Sequence, residues 1–136
     1  MTWDHEYFDG SAWSEQVTLT VSGVAYSASV PLRRAGRSGE IAHVTLREDV
    51  TLDEGSAGVL IIAYDSSIDA ATPDEFKVYE SDVIALTGDA VTASLIDALA
   101  NLAVYDGDIY IALRVTAAAG LGASTSVEVR IDGTAR

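Results

Sequence analysis

The continuous apolar run Val59-Leu-Ile-Ile-Ala-Tyr64 is the sequence feature that most constrains the fold. It has the length of a β-strand and is far too short to cross a membrane. A strand without polar alternation is buried on both of its faces. We therefore predict a central strand here, at the heart of a single hydrophobic core.

Other segments alternate apolar and polar residues, as half-buried strands do. Residues 41–48 are one example, in which Ala42, Val44 and Leu46 are expected to point inward. The predicted strands are 17–21, 24–30, 41–48, 59–64, a segment that begins at Phe76, 83–86, 109–115 and 126–131. We expect the last two to pair with each other. Residues 90–104 fit two patterns: Leu95, Leu99 and Leu102 have helical spacing, which would give a short helix or 3₁₀ turn at 96–102. Val91, Ala93 and Leu95 have the spacing of a strand. About eight short strands separated by glycine turns predict an all-β domain, a β-sandwich or jelly roll of two packed sheets.

The first tenth of the chain carries four of its ten aromatic residues, namely Trp3, Tyr7, Phe8 and Trp13. We divide the chain into an N-terminal arm (1–13), a β-sandwich domain (14–132) and a short tail (133–136). An extended arm cannot form a core by itself, so its rings pack either on their own domain or on another molecule.

Twenty-one acidic residues against eight basic ones give a formal net charge of −13. Such a surface repels phosphate backbones and anionic lipids, which argues against nucleic-acid and membrane partners. Three of the bases, Arg33, Arg34 and Arg37, share one short loop. This loop either pairs with acidic surface on a partner or on a second copy of the chain, or is a solvated turn. The N-terminus has neither a basic nor an apolar signal region, so we expect synthesis in a cytoplasm.

No enzyme motif is present, and the two histidines, His5 and His43, have no marked catalytic partners. There is no cysteine to act as a nucleophile or a zinc ligand. Four loop aspartates with the chemistry of calcium ligands are Asp65, Asp69, Asp106 and Asp108, but they lack EF-hand spacing and are also good turn formers. We predict no catalytic residue, no cofactor and no metal site.

Five segments, in this order along the chain, resemble small all-β structural proteins of tailed bacteriophages that are encoded near the major capsid protein. They are Ala25-Tyr-Ser-Ala28, Arg34-Ala-Gly-Arg-Ser-Gly-Glu-Ile41, Gly58-Val-Leu-Ile-Ile-Ala-Tyr-Asp65, Ala70-Ala-Thr-Pro-Asp-Glu-Phe76 and Asp108-Ile-Tyr-Ile-Ala-Leu113. The resemblance covers most of residues 24–132, and the aromatic arm has no counterpart in the pattern.

The resemblance implies a capsid decoration, or cement, protein with a jelly-roll-like fold, often a homotrimer, on the outer surface of a virion. Its partner would be the major capsid protein. The residues expected to make partner contacts are Trp3, Tyr7, Phe8, Trp13, Arg33, Arg34 and Arg37. The alternative is a receptor- or glycan-binding β-sandwich module of a phage tail or head fibre.

Overall fold

A computed structural model describes residues 12–48, 56–86, 92–94, 103–117 and 125–135. These residues form strands and two short 3₁₀ turns, at Arg33–Ala35 and Asp74–Phe76. Neither turn is long enough to cross a membrane. The strands are β1 (Ala12–Val21), β2 (Val30–Pro31), β3 (Ser38–Glu48), β4 (Ser56–Ala63), β5 (Lys77–Glu80), β6 (Ile84–Leu86), β7 (Thr92–Ser94), β8 (Ala103–Asp106), β9 (Tyr110–Ala117) and β10 (Thr125–Ala135).

The strands form two five-stranded sheets in which every pair is antiparallel. The first sheet has the order β1-β10-β3, and both β7 and β8 pair with the far side of β3. The second has the order β2-β9-β4, and both β5 and β6 pair with the far side of β4. Since these short strands fill successive stretches of one edge, each sheet is four strands wide. This width agrees with the predicted number of strands.

The connections between the sheets define the fold. The first half of the chain pairs with the second half in reverse order: β4 with β5 and β6, β3 with β7 and β8, β2 with β9, and β1 with β10. Along the chain, successive strands cross from one sheet to the other, except between β4 and β5 and within the two split edges. This is the connectivity of a jelly roll. The predicted fold class, a jelly-roll-like β-sandwich, is confirmed.

Residues 59–63 of the apolar run are buried on both faces of β4, as predicted, whereas Tyr64 follows the strand and is exposed. Leu60 and Ile62 belong to the main core between the two sheets. The alternate residues of β4 form a second cluster on the outer face of the second sheet, together with Ile68 and Ala112. The loop that follows β4 therefore folds back over the outer face and shields it from water.

Side chains of this loop hold it in place. Asp65 accepts a hydrogen bond from the Ser67 backbone N–H at 2.9 Å and one from the Thr72 hydroxyl at 2.8 Å. The Thr72 hydroxyl in turn accepts one from the Asp69 N–H at 3.0 Å. The Ile68 N–H donates to the Ser29 hydroxyl at 2.8 Å, which ties the loop to the segment before β2. These bonds set Ile68 against the sheet.

The expected pairing of residues 109–115 with 126–131 is wrong. These segments are β9 and β10, and they lie in different sheets. The strand β9 pairs with β2 and β4, whereas β10 pairs with β1 and β3. The inward residues of both strands are buried as predicted, so the pattern gave the correct faces but not the partners.

The predicted strand at 24–30 is regular only at its end, where β2 holds the two residues Val30 and Pro31. The preceding segment still follows β9, through an isolated bridge between Tyr26 and Arg114. The Ser27 hydroxyl accepts a hydrogen bond from the Leu113 N–H at 2.9 Å. Because the Ser27 hydroxyl replaces a backbone carbonyl as the hydrogen-bond acceptor, the segment before β2 is not a regular strand.

The strand β3 contains a β-bulge that changes which side chains face the core. Ile41 pairs with Gly133 and His43 with Asp132, so Ala42 has no partner of its own. The extra residue reverses the alternation. Ile41 is therefore buried and Ala42 is exposed, contrary to the expectation for Ala42, while Val44 is buried as predicted.

Two predicted boundaries shift. The first strand begins at Ala12, inside the predicted arm, and β10 continues to Ala135, through most of the predicted tail. The remainder of the arm and the possible helix at 96–102 lie outside the described residues.

Replacing Ile68 with alanine should destabilise the domain by about 2–5 kcal/mol, because a cavity would open over the outer face of the second sheet. Urea unfolding would measure the change. Val83→Ala is the control, since Val83 is 63% exposed and its truncation should change stability by less than about 0.5 kcal/mol. Equal effects of the two substitutions would contradict a structural role for the loop.

Candidate interaction surface at one end of the sandwich

Four segments meet at one end of the sandwich. Ser38 at the start of β3 pairs with Asp106 at the end of β8, and Pro31 pairs with Tyr110. At the same end, β1 begins beside Thr134 of β10. We call this region the arginine end and define it as Ala12, residues 31–38, residues 64–76 and residues 106–110.

The buried Tyr105 is the junction of this end. Its side chain is 1% exposed, and its hydroxyl donates a hydrogen bond to the backbone carbonyl of Ala35. Its ring packs edge to face with Trp13, with 6.4 Å between the ring centroids and 80° between the planes. One side chain thus connects β8, the first 3₁₀ turn and the start of β1.

Two glycines make room for this aromatic pair. A Cβ atom at Gly133 would lie 2.7 Å from Cζ2 of Trp13, and one at Gly39 would lie 2.7 Å from the hydroxyl of Tyr105. Both distances are well inside van der Waals contact, so the rings lie directly on the backbone of the first sheet.

Burial raises the pKa of Tyr105 above its ordinary value of 10.0, and the nearby indole N–H of Trp13 opposes part of that rise. The phenol is therefore protonated at neutral pH and remains a hydrogen-bond donor to Ala35.

The structure corrects the expectation for Trp13. The predicted arm and partner-contact set included this residue, but its side chain is 4% exposed and belongs to the main core. Trp13 therefore fixes the root of the arm. The other three aromatic residues of the expected set, Trp3, Tyr7 and Phe8, lie outside the described residues.

The three arginines lie together at this end, and all are exposed. Their backbone is fixed: the Arg34 N–H donates to Glu15 Oε1 at 2.9 Å, and the Arg37 carbonyl accepts from the Gly107 N–H. Among the described residues, no carboxylate forms an ion pair with Arg33 or Arg37. The loop thus holds two charged side chains at the surface on a rigid support.

A pocket of about 460 Å³ opens beside the arginines. Its lining residues are Pro31, Leu32, Arg33, Gly36, Arg37, Asp108, Ile109 and Tyr110. Leu32 and Ile109 are almost fully buried and supply an apolar floor. Two arginines against Asp108 leave the lining with one excess positive charge, on a chain whose net charge is −13.

Exposed aromatic side chains extend this surface. Tyr64 is 36% exposed and Phe76 is 45% exposed. The Tyr64 hydroxyl accepts a hydrogen bond from the Asp106 N–H at 2.9 Å, and the Tyr64 N–H donates to the Phe76 carbonyl at 2.9 Å. Neither these two rings nor the pocket residues Asp108 and Tyr110 are among the contact residues predicted from the sequence. A usable signal was that Tyr64 ends the apolar run immediately before a polar loop.

The histidines were considered as catalytic residues, and the structure describes one of them. His43 Nδ1 lies 3.7 Å from an Asp132 carboxylate oxygen and 3.3 Å from the Thr45 hydroxyl. Both neighbours approach the same ring nitrogen, whereas a catalytic triad places the acid and the nucleophile on different nitrogens. The other histidine, His5, lies outside the described residues.

The aspartates considered as calcium ligands do not converge. The carboxylate of Asp65 is bound to its own loop, and Asp69 accepts a hydrogen bond from the Ala71 N–H at 2.8 Å. Within the described ranges, no group of three or more His, Cys, Asp or Glu side chains could hold a metal ion.

Comparison with known proteins gives structural matches only. No family model matches the chain, and neither does any curated protein. Among solved structures, the chain is similar to one from Desmodium yellow mottle tymovirus (TM-score 0.36, 10% identity, 93% of this chain and 88% of that chain). It is also similar to a chain of turnip yellow mosaic virus (0.33, 11%, 93% and 94%). A third match is to infectious bursal disease virus (0.38, 16%, 95% and 30%). Agreement at these TM-scores is weak, and the jelly-roll assignment rests on the strand pairing described above.

Tyr105→Phe should destabilise the domain by about 1–3 kcal/mol at neutral pH, because the buried Ala35 carbonyl loses its donor. The pKa of Tyr105 is higher in the folded protein than in the unfolded chain. Protonated Tyr105 therefore contributes stability below about pH 10, and this contribution is lost as the pH rises through the pKa of the folded protein. The difference between wild type and variant should therefore shrink above about pH 10. Urea unfolding of both proteins at neutral pH and above about pH 10 measures this difference. A constant difference would contradict a titrating Tyr105.

Proposed function

We propose that this chain is a non-enzymatic structural protein of a tailed-bacteriophage virion, a decoration or cement protein that binds the outside of the capsid and stabilises the shell. One observation carries the proposal. Of the five segments that resemble phage structural proteins, three contribute residues to the arginine end, and a fourth ends there at Tyr64 and Asp65. Four of the five segments therefore reach the arginine end, while their strand residues at 59–63 and 111–113 are buried in the sandwich.

The chemistry of this surface supports binding to protein. Arginine, tyrosine and phenylalanine are enriched at protein interfaces, where they supply charge-assisted hydrogen bonds and large contact areas. In the proposal, Arg33, Arg34 and Arg37 pair with acidic surface on the shell or on a neighbouring copy of the chain. The arm residues Trp3, Tyr7 and Phe8 add aromatic anchors, and the acidic remainder of the surface faces outward.

A homotrimer suits this role. Three copies present three such surfaces to one junction of the shell, so contacts that are weak individually combine through multivalency. The protein would be made in the host cytoplasm and would act on the outer surface of the virion, without nucleic-acid or membrane partners.

The copy number of this protein in purified virions of its source phage, measured by mass spectrometry against the major capsid protein, tests the role. A simple ratio to the shell protein is expected. About a dozen copies would place the protein in the neck, tail or a fibre and would favour the receptor- or glycan-binding alternative. Absence from virions would overturn the proposal.

Replacing Arg33, Arg34 and Arg37 together with alanine should lower capsid occupancy and speed dissociation, most strongly at low salt, where charge pairs are least screened. Arg130→Ala is the control, because Arg130 lies on the first sheet and pairs with Asp132 at 3.2 Å. Quantitation of bound protein on purified shells measures the effect. An unchanged dissociation rate would show that the loop is only solvated.

Deleting residues 1–11 should also lower occupancy while the domain stays folded. The deletion must stop before Ala12, because β1 begins there and Trp13 belongs to the core. Unfolding in urea verifies the fold of the shortened protein. Full occupancy by that protein would contradict an anchoring role for the arm.

A further inference from the structure

We propose that the pocket of the arginine end binds the N-terminal arm, residues 1–11, of a second copy of this chain. The inference deepens the proposed function and rests on it for the presence of several copies at one site. It assigns to the arm a partner on a neighbouring protomer, and to Arg33 and Arg37 a role in assembly.

The pocket specifies the chemistry of its occupant. Its floor of Leu32 and Ile109 favours an apolar or aromatic group, and its volume of about 460 Å³ accommodates a large side chain. Arg33 and Arg37 line the same pocket without carboxylate partners among the described residues. An occupant that combines rings with carboxylates would satisfy both features.

The arm has this composition. In Trp3-Asp-His-Glu-Tyr-Phe-Asp9, each aromatic residue stands next to an acidic one, and no lysine or arginine is present. A ring can enter the pocket while a neighbouring carboxylate reaches an arginine at its rim. Elsewhere in the chain no other segment of this length carries three aromatic and three acidic residues.

The position and length of the arm allow it to reach a neighbour. It leaves the sandwich at Ala12, at the same end as the pocket, and Trp13 and Glu15 hold its root through the Tyr105 contact and the Arg34 hydrogen bond. Residues 1–11 span up to about 36 Å when extended. This is more than three times the distance of about 10 Å between two stacked sheets.

An arm that occupies a pocket on the next copy makes a head-to-tail contact. Such contacts close into a ring when the rotation between copies matches the symmetry, which is how a trimer can form from a single kind of contact. Each copy then gives one arm and receives one.

Charge reversal tests the contact in solution, without a capsid. The full-length wild type should have the mass of a trimer by light scattering, and Arg33→Glu combined with Arg37→Glu should reduce it to the 14.3 kDa of one chain. Adding Asp4→Lys, Glu6→Lys and Asp9→Lys to the same chain should restore the trimer. Arg130→Glu, the matched control, should remain trimeric. A monomeric wild type, or a trimer that the pocket variant leaves intact, would overturn the inference.

Disulfide trapping identifies which copy supplies the arm, because the chain has no cysteine of its own. A chain carrying Glu6→Cys is mixed with a chain carrying Arg37→Cys, so that a disulfide between these two positions can only join two copies. We expect this cross-link on a non-reducing gel, and none when Arg130→Cys replaces Arg37→Cys. A third chain carries both Glu6→Cys and Arg37→Cys. If this chain forms an intrachain disulfide while the mixture of single variants does not cross-link, the pocket binds the arm of its own chain and the inference is overturned.

The experiments distinguish failure of the arm contact from failure of the decoration role. Loss of the trimer in the pocket variant, together with its restoration by the arm substitutions, establishes the arm contact whatever the copy number in virions. Conversely, a pocket variant that keeps its trimer but no longer binds shells would assign the arginines to the capsid protein. That outcome would overturn the inference and leave the decoration role intact.

Discussion

The buried contact between Tyr105 and Trp13 organises the arginine end of the sandwich. It joins an edge strand of the first sheet, β8, to the other edge strand, β1, across the backbone of β3 and β10, where Gly39 and Gly133 leave room for the rings. Through its hydroxyl, Tyr105 also fixes the turn that carries the arginines. The exposed charges are thus held by the same contact that seals the core.

The sequence predicts the fold class because that class follows from local patterns. The run in β4 requires burial on both faces, and the inward residues of β9 and β10 follow from simple alternation. The pairing of strands is different, because it depends on contacts between residues far apart in the chain. Alternation in β9 and β10 is equally consistent with a hairpin and with two strands in opposite sheets. The bulge at Ala42 is likewise invisible to a period of two.

The candidate site was predicted in part. The clustering of Arg33, Arg34 and Arg37 is evident in the sequence, and the structure exposes all three. Trp13 was misassigned because an aromatic residue at the start of an edge strand looks the same whether it faces the core or a partner. The pocket itself could not be predicted, since it combines residues 31–37 with residues 108–110, and only the pairing of β2 with β9 brings these segments together.

The split edges of the two sheets have a consequence for neighbouring copies of the domain. On β4 and on β3, the outer neighbour is two short strands instead of one long strand. A foreign strand that added to either of these split edges would find only three or four residues in register before the ladder broke. Short, interrupted edges discourage uncontrolled sheet extension. Copies of this domain can therefore lie side by side at high local concentration with little tendency to aggregate through these edges.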